Sequence, residues 1–254
     1  MKEHPILFNS EMVRAILDGR KTQTRRVIKP QPEMRPGNDF VDGVWYEEDK
    51  YGDSYPIRCP YGQPGDHLWV RETHLRAVYS NDGSRPSERF AFYKADEWGD
   101  KQWEGWRIAH SKCPPTPPWK PSIYMPRWAS RITLEIVSVR VERVQDISKD
   151  DAVDEGLEEM TQPEDMGGVT FYGSPQCGDR PPYLELDPRD AFMWLWDSIN
   201  AKPQPIKKAG KIIAYKSFPW GEETRDPRKT INSKPHYCLP NPRVWVISFK
   251  EIDQ

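Results

Sequence analysis

Residues Ile132 to Val144 carry the longest strand signal in the chain, and the apolar positions change parity partway along it. Ile132, Leu134 and Ile136 occupy one alternation, and Val137, Val139 and Val141 the other, which is the pattern of a bulge in a long bent strand. A small curved sheet is therefore favoured over a flat one. Proline narrows the choice further, because Cys113-Pro114-Pro115-Thr116-Pro117-Pro118-Trp119 excludes both helix and central strand. With 26 Pro in 254 residues, 36% hydrophobic and 30% charged, the chain reads as much loop on a modest regular scaffold. Eleven Trp and eleven Tyr argue against disorder.

Capping chemistry marks three helices. Asn9 or Ser10 caps a short helix with Met12, Val13 and Ile16 on its apolar face, and Gly19 suits the left-handed position that ends it. Ser148-Lys149-Asp150-Asp151 offers an N-cap with acids in the first turn, Ala152 to Glu155 continue, and Gly156 stops the helix with Glu155 at its exit. Asp187 caps a third that starts at Pro188 and runs through Ala191, Trp194, Leu195 and Ile199, its indoles expected in the core. Gly65-Asp66 makes a turn before a buried strand at Leu68 to Val70, and Val244 to Phe249 reads as a closing strand covered on both sides. The order suits an α+β fold, a small mixed barrel with helices at its mouth.

The formal net charge of -2 gives no overall pull toward nucleic acid or membrane, so RNA or DNA is expected only through a local basic patch. Segment 146 to 190 is acidic, whereas 202 to 243 carries Lys202, Lys207, Lys208, Lys211, Lys216, Arg225, Arg228, Lys229 and Lys234. That contrast is compatible with a phosphate-binding surface and equally with a solvated lysine-rich loop. No long apolar run and no secretory signal are present, which predicts a cytoplasmic protein without membrane association. Cys59, Cys113, Cys177 and Cys238 form no Cys-x-x-Cys pair. A metal site would have to be assembled from Cys59, His67, Cys113, His236 and Cys238, whose spacing matches no strong pattern, so neither metal nor cofactor is expected.

Gly19-Arg20-Lys21-Thr22-Gln23-Thr24-Arg25-Arg26 places an amine, a hydroxyl and guanidinium groups just past a helix stop. In a regular strand positions 21 and 24 face opposite ways, so joint action of Lys21 and Thr24 requires a bend. The bland reading is a solvated basic edge strand. A threonine nucleophile needs a base within reach, and a lysine serves only if burial or nearby cations such as Arg20, Arg25 and Arg26 lower its pKa.

Gly19-x-Lys21-x-x-Thr24-x-Arg26, Gly65-Asp66-His67-Leu68-Trp69-Val70, Val144-Gln145-Asp146-Ile147, Ala152-Val153-Asp154-Glu155-Gly156 and the Val244 to Phe249 strand together resemble an ASCH domain. Trp119 to Arg131 extends the similarity to the longer ASCH proteins of bacteriophages and prophages. The resemblance implies a PUA-like β-barrel in a single domain over 1-254. Its core segments would be about 5-30, 58-75, 119-160, 187-200 and 243-252, with insertions at about 31-57, 76-118, 157-186 and 201-242. It also implies RNA or nucleobase recognition. The family commonly has Glu where this chain has Thr24; a subset with Lys, Thr and Arg here acts as N4-acetylcytidine amidohydrolase. Carried over by motif, Lys21 becomes the proton acceptor, Thr24 the nucleophile and Glu155 the proton donor, with Asp154 or Glu158 as alternatives to the last. Arg26, Trp69, Trp119, Tyr124, Arg127 and Trp128 would bind a nucleoside or nucleobase, and Arg131 is a further phosphate candidate. A non-catalytic RNA or modified-base binder and a ribonuclease remain as the other readings.

Overall fold

The computed structural model describes residues 1–31, 40–41, 44–48, 54–79, 88–96, 119–173, 184–208, 211–221, 231 and 235–252. In chain order the elements are β1 (Glu3–Leu7), α1 (Ser10–Leu17), β2 (Gln23–Val27), β3 (Phe40–Val41), β4 (Val44–Glu48), β5 (Ser54–Arg58), β6 (His67–Arg71), β7 (His74–Tyr79) and β8 (Glu88–Tyr93). Then follow β9 (Thr133–Arg143), α2 (Lys149–Asp154), β10 (Glu158–Thr161), β11 (Thr170–Gly173), β12 (Leu184–Glu185), α3 (Pro188–Asn200), β13 (Gln204–Lys208), β14 (Lys211–Ser217), β15 (His236–Cys238) and β16 (Arg243–Glu251). This is a mixed α+β chain, mostly strand. Two compact units divide it, one holding 1–19, 60–137 and 249–254, the other 20–59 and 138–248, with β9 and β16 running through both.

In the first unit β1 pairs parallel with β6, and β6 antiparallel with β9, Leu68 lying opposite Leu134. Ile6, Leu68, Val70, Ile132, Leu134 and Ile136 are buried there. Asn9 caps α1 by accepting the Met12 amide at 2.8 Å, and Gly19 (φ 73°) ends it in the left-handed region, as its lack of a Cβ allows.

In the second unit β16 pairs antiparallel with β2, Ile247 opposite Thr24 and Trp245 opposite Arg26. Ser148 caps α2 through the Asp151 amide (3.1 Å), and Asp187 caps α3 through the Arg189 amide (2.9 Å). The two helices share a core of Val144, Ile147, Ala152, Leu157, Ala191, Phe192 and Trp196 with Val244 and Val246. Burial of these side chains, worth about 1.5 to 3 kcal/mol for each large one, fixes α2 over the sheet.

Several expectations need correction. The strand order β1-β6-β9-β16-β2 ends in two edge strands, so the described sheets are not closed into a barrel. Burial in β9 does shift parity between Ile136 and Val139, but Val137 is 52% exposed and belongs to neither inward row. Of the α3 indoles only Trp196 is core; Trp194 is exposed and donates its indole N–H to Glu185 at 3.0 Å. The segment 201–242, expected as an insertion, holds β13, β14 and β15, which form a sheet of their own and leave that expectation standing. Cys113, Cys177, Arg225, Arg228, Lys229 and Lys234 lie outside the described residues. No helix among the described residues is long and apolar enough to cross a membrane.

Candidate functional site

Strand β2 lies at the edge of the sheet, yet its Arg25 and the preceding Lys21 are buried. Lys21, just before it, forms an isolated antiparallel bridge with Glu155, and the Thr22 amide donates to Asp154 O at 2.9 Å. The exit of α2 thus covers the start of this edge, a known way of protecting one. Arg20 fixes the same junction from outside, donating to Gly156 O at 2.9 Å.

The Lys21 ammonium donates to Glu155 Oε2 at 2.7 Å and to the Glu155 carbonyl at 2.7 Å. Its side chain is fully buried and that of Glu155 is 4% exposed. Arg25 Nη1 donates to the other oxygen, Oε1, at 3.2 Å, so one carboxylate is divided between two cations. Arg25 is in turn held by Glu142 (Nε to Oε1, 3.0 Å) and Asp151 (Nη2 to Oδ2, 3.1 Å), and its guanidinium lies 5.7 Å from the Phe192 ring centroid. Gln23 Nε2 donates to Asp151 at 2.7 Å and to Asp154 at 3.2 Å, and Arg140 donates to Asp151 at 2.7 Å.

Burial pushes the Lys21 pKa down; the Glu155 charge and hydrogen bond oppose this, and Arg26 and Arg25 add to the lowering. Burial works against the charge of Arg25, but Glu155, Glu142 and Asp151 outweigh it and raise the pKa. Asp151 is held below the ordinary carboxylate range: burial would raise it, and Gln23, Arg140 and Arg25 together prevail. The cluster therefore couples an amine whose proton is loosened to a carboxylate one hydrogen bond away, the arrangement that general acid–base chemistry requires.

Lys21 and Glu155 are brought together. Strand alternation puts Gln23 and Arg25 on the face of the carboxylates and gives Thr24 and Arg26 the alternate direction. Thr24 is 1% exposed and Arg26 half-buried. Among the alternatives to Glu155, Asp154 accepts from Gln23, and Glu158 pairs with Arg20 at 3.4 Å. Asp154 also lines a cleft of about 390 Å³ with Lys149, Asp150, Glu159, Tyr172 and Leu186; Lys21 and Glu155 are not among its walls.

The remaining expected ligand-binding residues belong to the first unit. Trp69 on β6 is half-buried, with the Arg71 guanidinium 5.2 Å and that of Arg127 6.0 Å from its ring centroid. Arg127 is paired with Glu3 at 2.9 Å. Tyr124 and Trp128 are exposed, Trp119 half-buried. Arg131 pairs with buried Glu72 at 3.0 Å and stacks 4.0 Å over Tyr93. Among the described residues no group of three or more His, Cys, Asp or Glu is placed to hold a metal ion.

The sequence reading missed Glu142, Asp151, Gln23 and Arg140 and gave Arg25 only a general electrostatic role. The one available signal was the spacing Lys21-x-Gln23-x-Arg25, polar groups at strand period. No family model, no curated protein and no solved structure matches the chain.

Proposed function

We propose that the chain is an amidohydrolase that removes an acyl group from the N4 position of cytidine or a related nucleobase, on an ASCH-type, PUA-like core. The observation that carries this reading is the Lys21–Glu155 pair, joined at 2.7 Å and removed from solvent. The Glu155 carboxylate accepts from both Lys21 and Arg25. Transfer of one proton from Lys21 Nζ to Glu155 Oε2 along the existing hydrogen bond makes a neutral amine and a carboxylic acid in one step. Burial, which lowers the Lys21 pKa, favours that exchange.

In the proposed reaction Thr24 Oγ1 attacks the acyl carbon and its proton passes to the Lys21 amine. The tetrahedral oxyanion collapses as Glu155 protonates the departing N4, leaving cytidine and an acyl ester on Thr24. Water, deprotonated by the same amine–carboxylate pair, then releases the acid and restores the hydroxyl.

One observation favours a second reading, a non-catalytic module that binds RNA or a modified base. Thr24 is 1% exposed and follows the strand alternation away from Arg25, as a scaffold residue would. Incubation with N4-acetylcytidine separates the two. The hydrolase reading predicts acetate and cytidine, with release abolished by Lys21→Ala and by Thr24→Ala in folded protein; an inert wild-type chain that still binds the nucleoside supports the reader.

A further inference from the structure

Two lysines that are distant in sequence converge on one aromatic ring in the second unit. Nζ of Lys29 lies 5.3 Å and Nζ of Lys216 5.1 Å from the centroid of Phe218. The ring is a fixed plate: Phe218 is 2% exposed, its amide donates to Asn200 O at 2.9 Å, and its carbonyl accepts the Trp196 indole N–H at 2.9 Å. The lysine backbones are tied as well. Gln31 Nε2 donates to Ile28 O (2.7 Å) and Arg243 O (3.0 Å), pinning both neighbours of the Lys29-Pro30 step, and Lys216 sits in β14 opposite Gln204 and Tyr237.

Among the described residues neither ammonium has a carboxylate partner within ion-pair distance. Two like charges held near one apolar ring repel each other, and the attraction of each to the ring face offsets only part of that cost. Burial lowers the Lys216 pKa and the Lys29 charge lowers it further. An anion placed against both ammonium groups would offset the repulsion and accept charge-assisted hydrogen bonds from them.

We infer that Lys29 and Lys216, arranged about the Phe218 ring, form a binding site for a phosphoryl group of a nucleotide. The phosphoryl group comes either from a mononucleotide or from a polynucleotide backbone. That the phosphoryl group belongs to a nucleotide rests on the proposed function, whereas the anion site itself rests on no step of the hydrolysis. If both hold, the substrate is phosphorylated rather than a free nucleoside. The exposed lysines of the β13–β14 hairpin, Lys207, Lys208 and Lys211, supply only diffuse charge, with Lys208 directly opposite Lys211 in the register.

Calorimetric titration at fixed ionic strength tests the site with inorganic phosphate, cytidine, cytidine 5′-monophosphate and a short oligocytidylate. The site predicts that Lys29→Gln/Lys216→Gln weakens phosphate and the monophosphate about tenfold or more. Cytidine affinity should be the same in both proteins, and Lys207→Gln/Lys208→Gln should leave all four ligands unchanged. An oligocytidylate that binds much more tightly than the monophosphate, with the gain lost in the Lys29/Lys216 variant, assigns the phosphoryl group to a polynucleotide; equal affinities assign it to a mononucleotide. Failure of the wild-type chain to bind phosphate, an unchanged Lys29/Lys216 variant, or an equal loss in the Lys207/Lys208 variant overturns the site. Binding is read without turnover, so an inactive hydrolase leaves this result intact.

Discussion

Arg25 Nη1 donates to Glu155 Oε1 at 3.2 Å, while the other oxygen of that carboxylate accepts the Lys21 ammonium at 2.7 Å. Two cations share one buried carboxylate, so removal of Lys21 leaves the Glu155 charge less compensated away from water. Lys21→Met should therefore destabilise the protein by about 3 to 5 kcal/mol. Lys21→Met/Glu155→Leu should be less destabilised than the sum of its single variants, a coupling that urea unfolding of all four proteins measures. Additive effects would show that the pair contributes nothing as a pair.

The pH dependence follows from the lowered Lys21 pKa. Between its folded value and the ordinary 10.5 the unfolded chain binds the proton and the folded chain does not, so the Lys21 contribution to stability increases with pH across that window. Because the proposed reaction uses the Lys21–Glu155 pair with one proton between them, acyl release should fall as pH rises through the lowered Lys21 pKa, with a midpoint below 10.5. The Arg25 charge is one cause of the lowering, so Arg25→Gln should move that midpoint upward; Arg25→Lys, which keeps the charge, should move it less. An unmoved profile would show that Arg25 does not set the ionisation of the pair.

Asp151 tests the opposite limb. Its folded pKa lies below the ordinary 3.8, so its stabilising contribution is complete above 3.8 and is lost as pH falls through the folded value. Asp151→Asn should lower the urea midpoint at neutral pH, and the difference from wild type should vanish in acid. A difference independent of pH would assign the loss to packing.

How much of this was legible in the chain depends on the range of the interactions. The Asn9, Ser148 and Asp187 caps act within three residues, so local spacing revealed them, and Gly156 revealed that Glu155 ends its helix. The Arg25 partners Glu142 and Asp151 lie 117 and 126 residues away, a separation no local pattern encodes. Trp194 and Trp196 are two positions apart and equally apolar in sequence; tertiary packing alone decides which is buried. The basic edge strand was anticipated, but not that Lys21 and Arg25 would be buried against Glu155 at the exit of α2.

Gly156, at φ 95°, occupies backbone space that a Cβ disfavours. Gly156→Ala should cost about 1 to 2 kcal/mol. It should also reduce acyl release beyond the stability loss, because the same turn positions Glu155. Thermal unfolding alongside steady-state rates separates the two effects; unchanged rates would show that the turn does not position the carboxylate.

The most direct test of the central claim is mass spectrometry of the protein quenched during turnover of N4-acetylcytidine. The account predicts an acetyl group on Thr24, absent from Thr24→Ala, which should also release no cytidine. Undiminished cytidine release by Thr24→Ala, with no acetyl group on the wild-type peptide, would contradict it.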